Sequence, residues 1–285
     1  VPLKDGSITD DTRIRRALPT IRNITERGRV AVLMSHLGRP KGEVVPGLRM
    51  APVGQRLSEL LGAVVPVAPD CIGDETERAV AALSPGDVIL LENLRFHPEE
   101  KKNDAQFAAG LAALGDVYVD DAFGTSHRAH ASTVGAAERF EQRAMGFLME
   151  KELENLSRVT GDPEKPYVAI LGGAKVSDKI GVIENLMPKV DGLLVGGGMA
   201  FTFLKAQGGS VGDSLLEEDK LDTATRLLKR AEDEQKVFLL PTDVKIAPGA
   251  DSDTEPAVAP ADEIPDGMQG LDIGPRTVDA FSREI

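Results

Sequence analysis

Short apolar runs rich in Val, Ile and Leu alternate along this chain with segments whose apolar residues recur at helical spacing. This alternation is typical of βαβ units, in which helices cover both faces of a parallel sheet. It predicts seven strands, at residues 30–34, 64–67, 88–91, 117–119, 167–171, 193–195 and 237–240. The intervening segments predict helices at residues 11–27, 53–61, 105–114, 176–187 and 221–232. Pro19 lies inside the first helix and predicts a kink there.

The length of 285 residues and an apolar content of 41% favour two domains. A charged helical stretch runs into Gly161, Pro163 and Pro166, which predicts a hinge. We therefore place an N-terminal domain at residues 1–148, a helical linker at 149–165 and a C-terminal domain at 166–285. Residues 251–266, rich in Ala, Pro and acidic side chains, are predicted to form a surface excursion.

The charge balance excludes some classes of partner. With 46 acidic and 33 basic residues the net charge is −13, which repels nucleic acid and anionic membranes. Of the 19 arginines, 14 precede Glu150, so a site for a small anion is expected in the first half. Cys71 is the one cysteine, which excludes an internal disulfide and a Cys-based zinc site and fits a reducing, cytoplasmic location.

Basic side chains follow three of the predicted strands. Ligands of open α/β sheets bind beyond the carboxyl ends of the strands, so these loops are the first place to look for a site. The loops contain His36 and Arg39, then Arg95 and His97, then His127, Arg128 and His130. Taken singly, each of these residues is more often a solvated or capping side chain. Three such loops at one edge of a sheet favour a common anion site.

The second half carries glycine and lysine at the corresponding positions. Gly172, Gly173, Ala174 and Lys175 follow a strand and are predicted to open a helix, whose N-terminus would bind phosphate together with the lysines. Residues 196–198, all glycine, follow the next strand and would admit an adenine or a ribose. Close packing of a helix on the sheet explains these glycines equally well. Neither loop is a Walker A or a G-x-G-x-x-G motif.

An anion site in one half and a nucleotide-like site in the other favour a two-substrate enzyme that transfers a phosphoryl group. Such a reaction needs positioning and positive charge more than covalent side-chain chemistry. The main alternative enzyme, a Rossmann dehydrogenase, would need G-x-G-x-x-G and a ribose-binding acid, where this sequence has GGAKVSDK.

Six strings of the sequence identify a resemblance to a known family. They are VPLKDGSITDDTRIRRALPTI, SHLGRPKG, LLENLRFHPEEKKND, DDAFGTSHRAHAST, ILGGAKVSDKI and VGGGMAFTFLKAQG. In this order they resemble phosphoglycerate kinase over the whole chain. The resemblance implies two doubly wound, Rossmann-like α/β domains joined by a helical hinge. It also implies a glycolytic monomer that transfers a phosphoryl group reversibly between 1,3-bisphosphoglycerate and ADP, giving 3-phosphoglycerate and ATP, with Mg²⁺ bound to the nucleotide.

The resemblance also implies which residues bind each substrate. The 3-phosphoglycerate site would contain Arg13, His36, Leu37, Gly38, Arg39, Arg95 and Arg128. The nucleotide site would contain Gly172, Gly173, Ala174, Lys175, Lys179, Gly196, Gly197, Gly198 and Gly270. Arg13 and Lys175 would be catalytic, because they match the arginine and the lysine that contact the transferring phosphoryl group. No residue of this chain is expected to bind a metal directly.

Some motifs of the family are not among these 285 residues. The family has an R-x-D-x-N strand before the position of Val1. After the position of Ile285 it has W-N-G-P, a ribose-binding glutamate and a G-G-G-D-T/S loop. We therefore expect the second domain to be incomplete in this sequence and the 285-residue chain alone to be inactive. An inactive anion- and nucleotide-binding fragment is the alternative function.

Overall fold

The computed structural model describes residues 1–4 and 6–284. It divides into two compact units, Val1–Ser157 (unit 1) and Arg158–Ile285 (unit 2). The division falls inside a helix, Phe147–Thr160, within the segment for which the sequence predicts a helical linker. The predicted domain limits at residues 148 and 166 stay predictions.

Unit 1 is built from short strands and helices in βαβ order. Its strands are β1 (Leu3–Lys4), β2 (Ser7–Ile8), β3 (Ala31–Leu33), β4 (Val88–Leu90), β5 (Val117–Asp120) and β6 (Gln142–Met145). Its helices are α1 (Thr12–Glu26), α2 (Ala51–Leu61), α3 (Asp74–Ala81), α4 (Pro98–Lys102), α5 (Ala105–Ala112) and α6 (Phe147–Thr160). The pairs β3–β4 and β5–β6 are parallel, and β1–β2 is antiparallel.

Strand β4 shows why this unit is doubly wound. Val88 and Leu90 point into one apolar cluster, which is packed against α1 and α2. Ile89 and the following Leu91 point into a second cluster, which contains the apolar face of α5. Successive side chains of a strand alternate between the two faces of its sheet, so both faces of β4 are covered. This confirms the predicted α/β class.

Two details of unit 1 differ from the sequence predictions. Helix α1 continues through Pro19, because that proline lies on the exposed face, where water can replace the lost backbone bond. The predicted strand at residues 64–67 is reduced to one bridge between Val67 and Leu90. Val64 is 85% exposed and Pro66 has no N–H to donate, so the rest of that run does not pair.

Unit 2 combines a parallel and an antiparallel sheet. Its strands are β7 (Val168–Leu171), β8 (Gly192–Val195), β9 (Ser210–Val211), β10 (Val237–Leu239), β11 (Asp243–Ala247), β12 (Ala257–Pro260), β13 (Glu263–Ile264) and β14 (Gln269–Ile273). Its helices are α7 (Ile180–Leu186), α8 (Met199–Ala206), α9 (Leu221–Asp233) and α10 (Pro275–Ser282). The parallel sheet has the order β10-β8-β7, and the antiparallel sheet has the order β12-β11-β14.

The predicted surface excursion at 251–266 contains two of these strands, β12 and β13. Strand β12 is mostly exposed and is held by antiparallel pairing with β11, whose Val244 and Ile246 are buried. The composition of β12 gives no clear strand signal, because an edge strand needs little apolar surface of its own. Among the described residues, no helix is both long and apolar enough to cross a membrane.

Candidate active site

The loops after β3 and β4 are joined through their backbones. Leu91 N–H donates to Leu33 O at 2.9 Å, and beyond the paired strands Leu94 N–H donates to Ser35 O at 3.2 Å. Because the strands are parallel, both loops leave the same edge of the sheet. The two basic loops of the sequence prediction are thus brought side by side.

Asn93 is the hub of these loops, and it is completely buried. Its Oδ1 accepts Leu37 N–H at 3.2 Å and Arg95 N–H at 3.1 Å. Its Nδ2 donates to Leu37 O at 2.8 Å and to Leu48 O at 2.9 Å. A side-chain amide has two donor hydrogens and two acceptor lone pairs, so every bond that Asn93 can make is used.

Glu92, the neighbour of Asn93, is also buried and fixes the same loop from the other side. Its carboxylate accepts Met50 N–H at 2.8 Å, Asn93 N–H at 2.9 Å and Arg49 Nη1 at 3.0 Å. Sequence reasoning assigned no role to either residue. The available signal was their position, since two polar residues directly after the apolar run at 88–91 must find partners if they are buried.

Three arginines come together above these loops. Arg95 donates from Nη1 to Gly38 O at 3.0 Å, and its buried Nε has no acceptor among the described residues. Burial lowers the pKa of Arg95, and the guanidinium groups of Arg128 and Arg39 lower it further. Arg128 and Arg39 are exposed, and Arg128 Nε donates to His127 Nε2 at 3.0 Å. The positive charges are therefore crowded together with unused donors.

His36 lies among the same charges. Its pKa is lowered from 6.5 to about 4, by burial first and then by Arg95, Arg128 and His130. The imidazole is therefore neutral at pH 7, where it can donate or accept a hydrogen bond. Arg13 lies in the first turn of α1, and its side chain is exposed.

The buried carboxylate of Glu100 lies beside the imidazole of His130. Glu100 accepts Ser132 N–H at 3.0 Å and Ser132 Oγ at 2.6 Å, and its Oε1 lies 3.7 Å from His130 Nδ1. Burial lowers the pKa of His130 while Glu100 opposes that shift. Loops from all three predicted strand ends thus contribute to one group of basic side chains. We call it the cation cluster after its three arginines, and define it as Arg39, Arg95, Arg128 and the two histidines His36 and His130.

His97 is not part of the cation cluster. Its Nε2 lies 2.6 Å from Asp70 Oδ1, and its ring packs on Phe107 with a centroid separation of 4.9 Å. Asp70, Cys71 and His97 each have one atom that could bind a metal ion, and these three atoms lie within 4.8 Å of one another. Asp70 Oδ1 also accepts Cys71 N–H, and the Cys71 thiol donates to Glu92 O. We assign this set a structural role, because each donor atom already has a protein partner.

The pKa of His36 gives a testable pH dependence. Between pH 6.5 and about 4 the unfolded chain takes up a proton on His36 that the folded chain does not. The free energy of unfolding is therefore expected to fall as the pH is lowered through this window. His36→Asn should flatten that part of the profile in urea unfolding experiments at a series of pH values. Identical slopes for the two proteins would contradict the assignment.

In unit 2, the loop after β7 carries its lysines on a turn rather than on a helix. Helix α7 begins at Ile180, four residues later than predicted, so the predicted helix N-terminus at Val176 is wrong. The Val176 side chain is buried in the core, and Ser177 bonds to Glu217. These contacts hold the chain in a turn there. Lys175 is exposed on that turn, and Lys179 lies over Gly173, with its Cε 3.6 Å from where a Cβ of Gly173 would be.

The glycines at 196–198 pack backbone against backbone on this first loop. Gly197 has a φ of +68°, and a Cβ there would lie 2.9 Å from Gly173 O. A Cβ on Gly198 would lie 3.0 Å from Ala174 O, and Met199 N–H donates to Gly173 O at 2.8 Å. Close packing, one of the two explanations left open by the sequence, accounts for Gly197 and Gly198, although the contact is loop on loop rather than helix on sheet.

Gly172 and Gly270 differ in their surroundings. Gly172 is exposed, and a Cβ there would meet nothing within 4 Å, which leaves its backbone open to a ligand. Gly270, on β14, packs directly against the ring of Phe201, and a Cβ there would overlap that ring. Its N–H donates to Ser214 Oγ at 2.9 Å. The position of Gly270 beside an adenine stays a prediction.

Comparison with known proteins identifies the family. The family description named phosphoglycerate kinase matches residues 1–285. The phosphoglycerate kinase of Chloroherpeton thalassium is 54% identical over 285 residues, which are all of this chain and 72% of that protein. The cytosolic phosphoglycerate kinase of Triticum aestivum is 54% identical over 286 residues, covering all of this chain and 71% of that protein.

Solved structures agree with the sequence comparison. Phosphoglycerate kinase from Coxiella burnetii matches with a TM-score of 0.82 and 42% identity, covering 99% of this chain and 71% of that one. The enzyme from Pyrococcus horikoshii OT3 matches with a TM-score of 0.80 and 32% identity, covering 99% and 72%. A match over every residue, at identities far above those at which folds diverge, leaves one conclusion: the chain belongs to the phosphoglycerate kinase family.

Proposed function

We propose that the cation cluster binds 3-phosphoglycerate or 1,3-bisphosphoglycerate and that the glycine loops of unit 2 bind ADP or ATP. The activity is that of the family, reversible phosphoryl transfer between 1,3-bisphosphoglycerate and ADP, giving 3-phosphoglycerate and ATP in glycolysis. The observation that carries the assignment is the placement of Arg95, which bonds to Gly38 O and has a buried Nε with no acceptor among the described residues. The charges of Arg39 and Arg128 act on Arg95, and those of Arg95 and Arg128 act on a neutral His36. A phosphate and a carboxylate on one small molecule would neutralise this excess charge.

Each group in the proposed acceptor site has a definite task. The guanidinium groups supply planar, bidentate donors for phosphate or carboxylate, and His36 adds a neutral hydrogen-bonding group. Leu37 and Gly38 take part in the site through their backbones, which shape the loop. The N–H and the carbonyl of Leu37 both bond to Asn93, and this fixes the loop in place. Gly38, at a φ of +64°, turns the chain so that its carbonyl meets Arg95.

In the proposed nucleotide site the substrate arrives as its Mg²⁺ complex. The ion accompanies the phosphates and neutralises part of their charge. Lys179 and the backbone of Gly172, Gly173 and Ala174 would bind the phosphates, and Gly196, Gly197, Gly198 and Gly270 would lie near the nucleoside. Arg13 is proposed to contact the transferring phosphoryl group from the acceptor side and Lys175 from the nucleotide side. Both act by opposing negative charge as it develops.

Substrate binding can be separated by unit. Arg39→Ala or Arg128→Ala is expected to weaken 3-phosphoglycerate binding by about 1.5–3 kcal/mol, the usual loss for a charge-assisted contact. Nucleotide affinity should hardly change. Calorimetric titration with each substrate measures the two effects separately.

Arg78→Ala is the matched control for these variants, because it removes the same charge from the exposed surface of α3, where Arg78 bonds to its own helix. Equal losses of affinity for both substrates would argue against placing Arg39 and Arg128 in the acceptor site. So would an effect of Arg78→Ala as large as theirs.

Turnover by the 285-residue polypeptide is a separate question. Membership of the family does not favour a purely binding function. We expect the polypeptide Val1–Ile285 alone to show no measurable transfer, because its sequence does not contain the family's G-G-G-D-T/S loop, whose amides and aspartate oppose charge in the transition state. A coupled assay with 3-phosphoglycerate and MgATP tests this. Turnover equal to that of the same chain extended with the family's C-terminal motifs would contradict it.

Location and assembly complete the proposal. We propose a monomer in the cytoplasm. Relatives from Triticum aestivum and Nicotiana tabacum are named cytosolic, which supports the location. Cell fractionation and analytical ultracentrifugation test the two statements.

A further inference from the structure

Glu217 makes an unusual set of contacts with the turn that carries Lys175 and Lys179. Its carboxylate accepts Ser177 N–H at 3.0 Å and Ser177 Oγ at 2.6 Å. The backbone N–H of Val176 also lies close enough to help lower the pKa of this carboxyl group. One carboxylate thus accepts both the backbone N–H and the hydroxyl of Ser177, 40 residues away along the chain.

The backbone of Glu217 is bonded to helix α8, which follows the glycines at 196–198. Its backbone N–H donates to Thr202 Oγ1 at 3.2 Å, and Thr202 is 1% exposed. Thr202 lies on α8, which begins directly after the glycines at 196–198. Six consecutive residues of α8, Met199 to Leu204, are buried, so this helix is a rigid support. Glu217 therefore connects a fixed helix to the exposed turn.

The carboxylate is ionised in this position. Burial acts to raise the pKa of Glu217, but the bonds from Ser177 and Val176 outweigh it and lower the pKa. The backbone N–H of Ser177 is occupied by Glu217, so it is not free to bind phosphate. The positive groups that the turn offers a nucleotide are then its two lysine side chains, and their placement depends on the turn.

We propose that Glu217 is a positioning residue for nucleotide binding: it fixes the 175–179 turn so that Lys175 and Lys179 stay beside the loop at residues 172–174. This inference rests on the proposed function, which assigns the two lysines to the nucleotide phosphates. Glu217 itself carries the wrong charge to contact a phosphate and acts through the turn.

Four variants test the proposal by calorimetric titration with MgADP. Glu217→Ala is expected to weaken MgADP binding about tenfold, because it removes charge-assisted bonds that order the turn. Glu217→Gln keeps an acceptor and should stay within about threefold of wild type. Ser177→Ala should weaken binding about threefold. Glu218→Ala is the matched control, since Glu218 is the next residue, is exposed and has no hydrogen bond to the turn among the described residues.

Two further readouts separate positioning from a general loss of stability. Amide exchange at Val176 and Ser177 should accelerate in Glu217→Ala, whereas 3-phosphoglycerate affinity should stay at the wild-type value. A general folding defect would lower the affinity for both substrates and would not confine the faster exchange to this turn. If Glu217→Ala does not fold, Ser177→Ala and Glu217→Gln decide the question.

An affinity for MgADP in Glu217→Ala or Ser177→Ala equal to that of Glu218→Ala would overturn the proposal, and so would a glutamine variant as weak as the alanine variant. Lys179→Ala belongs in the same series. If Lys179→Ala leaves MgADP affinity unchanged, the proposed nucleotide site is wrong. If Lys179→Ala weakens binding while Glu217→Ala does not, only the role of Glu217 is wrong.

Discussion

Alanine in place of Arg13 or Lys175 is expected to lower kcat about 100-fold or more, with a smaller change in substrate affinity. The reason is that charge aimed at the migrating phosphoryl group is most valuable when negative charge develops on it. Both side chains are exposed. Steady-state kinetics in a form of the enzyme that turns over give kcat and KM separately.

The chain supplies matched controls for both variants. Arg16 stands on the same helix as Arg13 and is exposed, and Lys205 is exposed at the end of α8. Arg16→Ala and Lys205→Ala remove the same charges and should keep kcat within about twofold of wild type, since surface charges away from a site have small effects. A defect confined to KM in Arg13→Ala or Lys175→Ala would indicate uniform binding instead.

Asn93→Ala is expected to lower the free energy of unfolding by about 3–4 kcal/mol. The estimate follows from four hydrogen bonds worth about 1 kcal/mol each, at a buried position where the abandoned partners find no water. Urea unfolding should show a lower midpoint with an unchanged slope. Because Asn93 joins Leu37 to Arg95, affinity for 3-phosphoglycerate should fall as well, without loss of any charge.

Asn155→Ala serves as the comparison for that variant. Asn155 is exposed on α6 and bonds only to the Lys151 carbonyl of its own helix among the described contacts. Its replacement should change the free energy of unfolding by no more than about 0.5 kcal/mol. Similar midpoints for the two variants would mean that the loops after β3 and β4 hold their shape without Asn93.

The sequence alone was sufficient to predict the elements that have a strong apolar pattern or whose contacts are with residues nearby in the chain. Strands β3, β4, β7, β8 and β10 follow from apolar runs, and the basic loops follow from the rule that ligands gather at the carboxyl ends of parallel strands. Family motifs add Arg13 and Gly270, which no local pattern marks as functional and whose roles stay predictions.

The rest depended on contacts between distant residues. The predicted start of α7 was wrong because Ser177 bonds to the carboxylate of Glu217, 40 residues away. The chain at Ser177 forms a turn instead of the first turn of the helix. Asn93 meets Leu37 across 56 positions and Glu92 meets Met50 across 42, and neither spacing has a periodicity that could be seen. Residues that bind ligands are visible by their charge, whereas residues that position them are visible only once the chain has folded.

Strand β4 has a consequence for how unit 1 responds to stress. Val88 and Leu90 belong to one apolar cluster and Ile89 to the other, so a three-residue strand is shared by two interiors. Neighbouring residues of one strand cannot be displaced independently, so loosening of either interior moves the strand end that continues into Glu92 and Asn93. Cooperativity of folding and the shape of the proposed anion site are therefore coupled. A cavity made beneath α5 is expected to shift the arginines without contacting them.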